Sequence, residues 1–346
     1  MDGAAITTAG TLSLEGQGNE FFSGRIQGEG TLEFGADEPV LVTKMGENPF
    51  VVGVPLNSGG SAEPPVITAL GVLGAGGAQV GLLETDQDQG GIHVQEGELR
   101  ILEGGRHSAF PENDWAIEDG ATLTVQGEHI FRGQFRISGG GDFRMEEGAK
   151  VLDRVGDVVE FALTGSARPS GSGKLDIRDG QLGGDPLGEF GGRIKILGDA
   201  RWSGGTIFGA VPGAGGDFSG GVLNRAFLEI TGEEDPKTLK RTFVNEGQVT
   251  QSAALAIDPG PGAGRDVSFP TRQGRVINES RWTLEAGSRI DGPRPARFVN
   301  KDELIIDSTD DQPLFISTPV NNKDGAVVRA EDGEAYLLDL SDEDVS

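Results

Sequence analysis

The sequence predicts an all-β chain, a right-handed parallel β-helix (β-solenoid) with inserted loops, and three observations predict it. Glycine supplies 58 of the 346 residues, against a usual share of roughly 7%. A glycine-led strand motif recurs along most of the chain, and an asparagine-centred motif recurs at similar spacing in the C-terminal part.

The glycines come first because they exclude alternatives. Each costs roughly 1 kcal/mol against alanine in a helix interior, and 17 prolines add to the cost, so long helices are not expected to dominate. Collagen is excluded because the glycines do not fall every third residue. Disorder of the whole chain is excluded by 17 Phe and many Val, Ile and Leu.

The glycine motif reads glycine, any residue, apolar, any residue, apolar. It occurs from Gly10, Gly30, Gly97, Gly141, Gly173 and Gly192, with a variant one residue longer from Gly120. Period-two alternation after a turn puts one row of side chains in a core and the other in water. The steps from Gly10 to Gly30, Gly97 to Gly120, Gly120 to Gly141 and Gly173 to Gly192 are 20, 23, 21 and 19 residues. That is coil length for a solenoid, too short for a strand, a crossover helix and a return.

The asparagine motif places Asn224, Asn245, Asn278, Asn300 and Asn322 after apolar residues and before another short strand. Their spacings are 21, 33, 22 and 22 residues, the long one absorbing a Pro- and Gly-rich loop at 259–264. Asparagine suits a turn because it tolerates left-handed backbone angles and bonds nearby backbone. Stacked coils would set like amides about 4.8 Å apart, so a structural ladder is expected.

Two segments carry a family resemblance: Asn19 through Leu32, with its Phe22-Ser23-Gly24 and Gly28-Glu29-Gly30-Thr31-Leu32, and Arg201-Trp202-Ser203-Gly204-Gly205-Thr206-Ile207. They resemble the repeats of right-handed parallel β-helix proteins of the bacterial surface, the autotransporter passenger and filamentous haemagglutinin type. These motifs report coil geometry and carry no chemistry. Unlike autotransporters, the chain shows no C-terminal series of amphipathic strands suited to a membrane barrel. A cut fragment, or export by another route, is the expectation.

With 55 acidic against 29 basic residues, the net charge is −26. An acidic surface without a basic run repels phosphates, so nucleic acid is not an expected partner. Cysteine is absent, which removes disulfides and thiol nucleophiles. The opening Met1-Asp2-Gly3 carries neither a basic nor an apolar leader region, so a signal peptide already removed, or an export signal elsewhere, is the expectation. The uncharged stretch 67–83 is short and broken by glycines, so no transmembrane segment is expected.

No catalytic residue is assigned. The pairs Glu118-Asp119 and Glu146-Glu147 read as solvated faces, since stacked coils bring acids together by chance. His93, His107 and His129 form no metal-ligand pair in sequence, and His93 reads as an outward strand residue. Calcium is the cofactor that the acidic turns suggest. Asp86 and Asp88, in Asp86-Gln87-Asp88-Gln89-Gly90-Gly91, have carboxylates at i and i+2 before glycine, and Asp307-Ser308-Thr309-Asp310-Asp311 is a second acidic turn. Neither matches an EF-hand, and a plain solvated turn is the alternative for each. Trp202, beside two glycines, is the candidate exposed ring for a carbohydrate ligand, whereas Trp282 reads as core.

The expected architecture is a single solenoid domain over 1–346 of roughly sixteen coils of 19 to 23 residues, about 75 Å long at 4.8 Å per coil. Loops are expected at 57–65, 209–220 and 259–264. The expected role is a non-enzymatic structural or adhesive rod, extracellular or at the cell surface, associating with itself or a neighbouring surface protein. The uncharged Ala4-Ala5-Ile6-Thr7-Thr8 edge is expected to be covered by another chain or coil. The alternative is a polysaccharide-processing β-helix enzyme, a lyase or tailspike-type glycosidase.

Overall fold

Strands start where the sequence alternates, and the computed structural model of the chain shows parallel sheets built from them. It describes residues 4–14, 20–21, 24–28, 31–34, 41–42, 50–53, 56–58, 66–69, 92–94, 98–101, 104–108, 115–153, 157–164, 173–184, 193–208, 211–212, 218–219, 221–232, 237–240, 242–258, 275–293, 296–309, 314–332 and 335–337. Among these no helix occurs, and none is long and apolar enough to cross a membrane. The chain divides into two units, Met1–Gly180 and Gln181–Ser346.

The first unit is a parallel β-helix. Its first sheet runs Thr11–Leu14, Thr31–Phe34, Leu56–Ser58, Ile92–Val94, Trp115–Ile117, Gln134–Gly139, Val158–Leu163. Its second runs Glu20–Phe21, Leu41–Val42, Val66–Ala69, Glu98–Ile101, Thr122–Val125, Asp142–Met145, Leu175–Ile177. Gly104–Ser108, Glu128–Arg132 and Lys150–Asp153 form a third, and Ala4–Thr8, Gly24–Gly28 and Phe50–Gly53 a fourth. Alternation decides which side chains enter the core: Val158–Leu163 buries every second residue, and Asp142–Met145 does the same. In-register rows then stack like on like, as in Leu123, Phe143 and Leu175. Trp115 packs edge-on against Phe131 and Phe135, with ring centres 5.3 and 5.2 Å away.

The second unit repeats the architecture. Its first sheet is Arg193–Ile196, Gly221–Asn224, Thr242–Asn245, Arg275–Asn278, Arg297–Asn300, Val320–Asn322. Its second is Ala200–Trp202, Phe227–Ile230, Gln248–Gln251, Arg281–Glu285, Glu303–Asp307, Val327–Asp332. The third is Gln181–Leu182, Thr206–Phe208, Lys237–Lys240, Ala254–Asp258, Arg289–Asp291, Leu314–Ile316, Ala335–Leu337. Leu228, Val249, Trp282 and Leu304 form one buried row, and Trp282 meets Phe298 edge-on at 5.3 Å.

Several sequence expectations shift. The glycine motif marks strand starts rather than one coil position: in the first unit Gly10 and Gly30 precede first-sheet strands, whereas Gly97, Gly120, Gly141 and Gly173 precede second-sheet strands. Coils also exceed 19 to 23 residues where insertions intervene, as in the 32-residue step from Phe143 to its partner Leu175. First-sheet rungs number seven and six among the described residues. Asn57, expected in a loop, lies in the Leu56–Ser58 strand, while 59–65 and 259–264 fall outside the described residues. The 209–220 insertion carries a short antiparallel pair, Val211–Pro212 with Phe218–Ser219.

Candidate functional site

The second unit's most extended polar array sits at the corner between its first and second sheets. Asn224, Asn245, Asn278, Asn300 and Asn322 occupy one register position on five successive coils. The first four are fully buried, and Asn322 is exposed. Each Nδ2 donates to the next Oδ1, at 2.8, 2.8, 2.9 and 2.7 Å in chain order. The same nitrogens reach carbonyls of the following coil, Arg281 O from Asn245 at 3.1 Å and Glu303 O from Asn278 at 2.9 Å. Backbone N–H groups of Ala226 and Gly247 donate to the Oδ1 of Asn224 and Asn245. Asparagine is needed because a corner leaves backbone groups beyond the reach of either sheet, and its amide both donates and accepts. Ile196 precedes Asn224 in register, so the ladder begins at Asn224.

The next corner is also satisfied internally. Gln251, fully buried, donates to Ala253 O at 2.8 Å and Arg289 O at 3.0 Å, and accepts from Trp282 Nε1 at 3.1 Å. Lys237 is buried as well, with Nζ donating to Gly232 O at 2.7 Å. Neither residue stands out by composition.

Trp202 is not an exposed platform. It is 1% exposed, because Ala200–Trp202 alternates with both ends inward, and its Nε1 donates to Gly204 O at 2.8 Å. The two glycines turn the chain and supply that carbonyl to the buried indole. Trp282 lies in the core.

Among the acids, Glu118, Asp119 and Glu147 are exposed. Others cap turns of neighbouring coils: Asp142 Oδ1 accepts from the N–H of Gly173 and Lys174, Asp157 Oδ1 from Gly133, and Asp179 Oδ2 from Gly148. Glu146 belongs to a charge checkerboard on the outer face of the first unit's second sheet. Arg144 stands in register with Asp176, and Glu146 lies one residue beyond Met145 as Arg178 lies beyond its partner Ile177. Arg178 Nε donates to Asp176 Oδ2 at 2.8 Å and Nη1 to Glu146 Oε1 at 3.2 Å, while Arg144 Nε sits 3.8 Å from both carboxylates. Asp176 is only 2% exposed, and its Oδ1 has no hydrogen-bond partner among the described residues.

His129, inward on the Glu128–Arg132 strand, is fully buried with Nε2 on Gln126 O at 2.9 Å. Burial pushes its imidazole down to about 4 from 6.5, against the raising effect of the Gln126 carbonyl. His93 pairs in register with Ala116 and His107 with Phe131. Burial holds the Glu285 carboxyl above its ordinary range, helped by the charges of Asp307 and Glu229. Asp86, Asp88, Asp310 and Asp311 lie outside the described residues; Asp307 is exposed and Ser308 buried. No group of three or more His, Asp or Glu arranged to hold a metal occurs among the described residues.

Comparison of the chain with protein families, curated proteins and solved structures gives no match.

Proposed function

We propose that the chain is a non-enzymatic structural or adhesive segment of an extracellular surface rod, of the autotransporter passenger or haemagglutinin kind, working through stacking and association. The asparagine ladder carries this reading. Four fully buried amides bond to one another and to backbone, so the polar groups at that corner serve cohesion between coils. Electron microscopy of the purified protein, with light scattering across a wide concentration range, tests it. Rods or filaments support the reading, and strictly compact monomers overturn it.

The polysaccharide-processing enzyme is the second reading, favoured by one observation: the outward carboxylates Glu146 and Asp176 sit among guanidinium groups on one coil face. Cleavage of an acidic polysaccharide decides for it. Calcium at Asp86 and Asp88 is a further proposal, tested by melting with calcium and with chelator.

A further inference from the structure

The outer face of the second unit's third sheet carries a strip of side chains open to solvent. Phe315 points outward from Leu314–Ile316 and is 47% exposed, while Leu314 and Ile316 on either side are buried. Arg289 precedes it in register and Tyr336 takes the next register position, on strands about 4.8 Å apart. The Arg289 side chain, 58% exposed, pairs through Nε with Asp291 Oδ2, and Asp291 Oδ1 accepts the Ser317 hydroxyl at 2.7 Å. One carboxylate takes only part of a guanidinium's N–H donors, and each carboxylate oxygen has a further acceptor lone pair. The Asp291 side chain is 32% exposed, so both partners can be reached from solvent. On the preceding strand, Ala254 and Ala256 stand in register with Arg289 and Asp291, and their short side chains continue the strip as a floor.

Topology and charge select what fits there. Leu314–Ile316 lies between Arg289–Asp291 and Ala335–Leu337 in the sheet, so it offers no free backbone edge for an arriving strand. The open ring face calls for an apolar face on the ligand, and the neighbouring donors and acceptor call for hydroxyls. Arg289 and Asp291 cancel each other's charge, and the net charge of −26 disfavours an anion. A sugar ring has C–H groups on its face and hydroxyls at its rim, and without a carboxylate it carries no charge. We propose that this strip is a binding subsite for a neutral glycan, with Phe315 the stacking platform, Arg289 the donor and Asp291 the acceptor. The inference deepens the adhesive reading above and rests on it.

Titration calorimetry with cellohexaose, mannohexaose and a hexagalacturonate tests it on the full chain. The expected result is binding of a neutral hexamer, weakened about tenfold or more by Phe315→Ala and by Arg289→Ala, and kept by Phe315→Tyr, which retains the ring. Phe227→Ala removes a ring of similar exposure, 42%, from the second sheet and leaves binding unchanged. Thermal melting confirms that the variants fold. No binding of either neutral hexamer, tighter binding of the uronate, or equal binding by Phe315→Ala overturns the proposal, as does an equal loss with Phe227→Ala. Rods seen by microscopy together with no glycan binding would sink the subsite and leave the rod reading standing.

Discussion

Asn278 Nδ2 donates to Asn300 Oδ1 at 2.9 Å although 22 residues separate them, and both amides are fully buried. The bond is one link in a chain of amides, so removing a middle member orphans partners on both sides. Asn278→Ala is expected to destabilise the second unit by about 1 to 3 kcal/mol. Asn322→Ala, at the exposed end, should cost under about 1 kcal/mol, because water replaces its partners. Urea denaturation of the two variants checks the order.

Acid should weaken the first unit through His129. Its folded value of about 4 lies below the ordinary 6.5, so the unfolded chain takes up the proton first. Stability is therefore complete above about pH 6.5 and falls progressively toward pH 4, by about 3 kcal/mol at 1.36 per pH unit. His129→Gln should flatten that part of the profile, as measured by denaturant midpoints at several pH values.

Glu285 shifts the other way. Its raised carboxyl means that ionisation opposes folding, an effect absent below the ordinary value of 4.5 and present once pH has risen through the folded value. Glu285→Gln should raise the melting temperature at neutral pH and give no gain well below pH 4.5. Scanning calorimetry at the two conditions is the check.

Two glycines separate strain from collision. Gly120 has φ +84° with open space around a Cβ, so Gly120→Ala should cost about 1 to 2 kcal/mol of backbone strain. At Gly139, φ is +120° and a Cβ would come within 2.0 Å of the Ile117 carbonyl oxygen, so the sheet itself must shift. Gly139→Ala should cost about 3 kcal/mol or more. Paired equilibrium unfolding curves distinguish them.

The asparagine register was legible because one residue type recurs once per coil in the same apolar context, and an insertion lengthens a spacing without moving the amide. The all-β class was legible from alternation after glycine. Trp202 misled because a Gly-Gly neighbour reads as an exposed turn, whereas period-two counting from Ala200 puts the ring inward. The same counting places His129 beside Phe131 in the core. The pairing of Arg144 with Asp176 was not legible: it depends on a 32-residue step whose inserted length cannot be divided between strand and loop from sequence.

A pulling experiment would read the ladder as a ruler. Successive links span 21, 33, 22 and 22 residues of chain, so a coil peeled from the C-terminal side releases roughly 70 to 120 Å of slack at about 3.5 Å per residue. Extension traces of the second unit should then show a sawtooth with one wider tooth, where the coil between Asn245 and Asn278 lets go. The molecule would yield in instalments, keeping its remaining coils intact after each partial rupture.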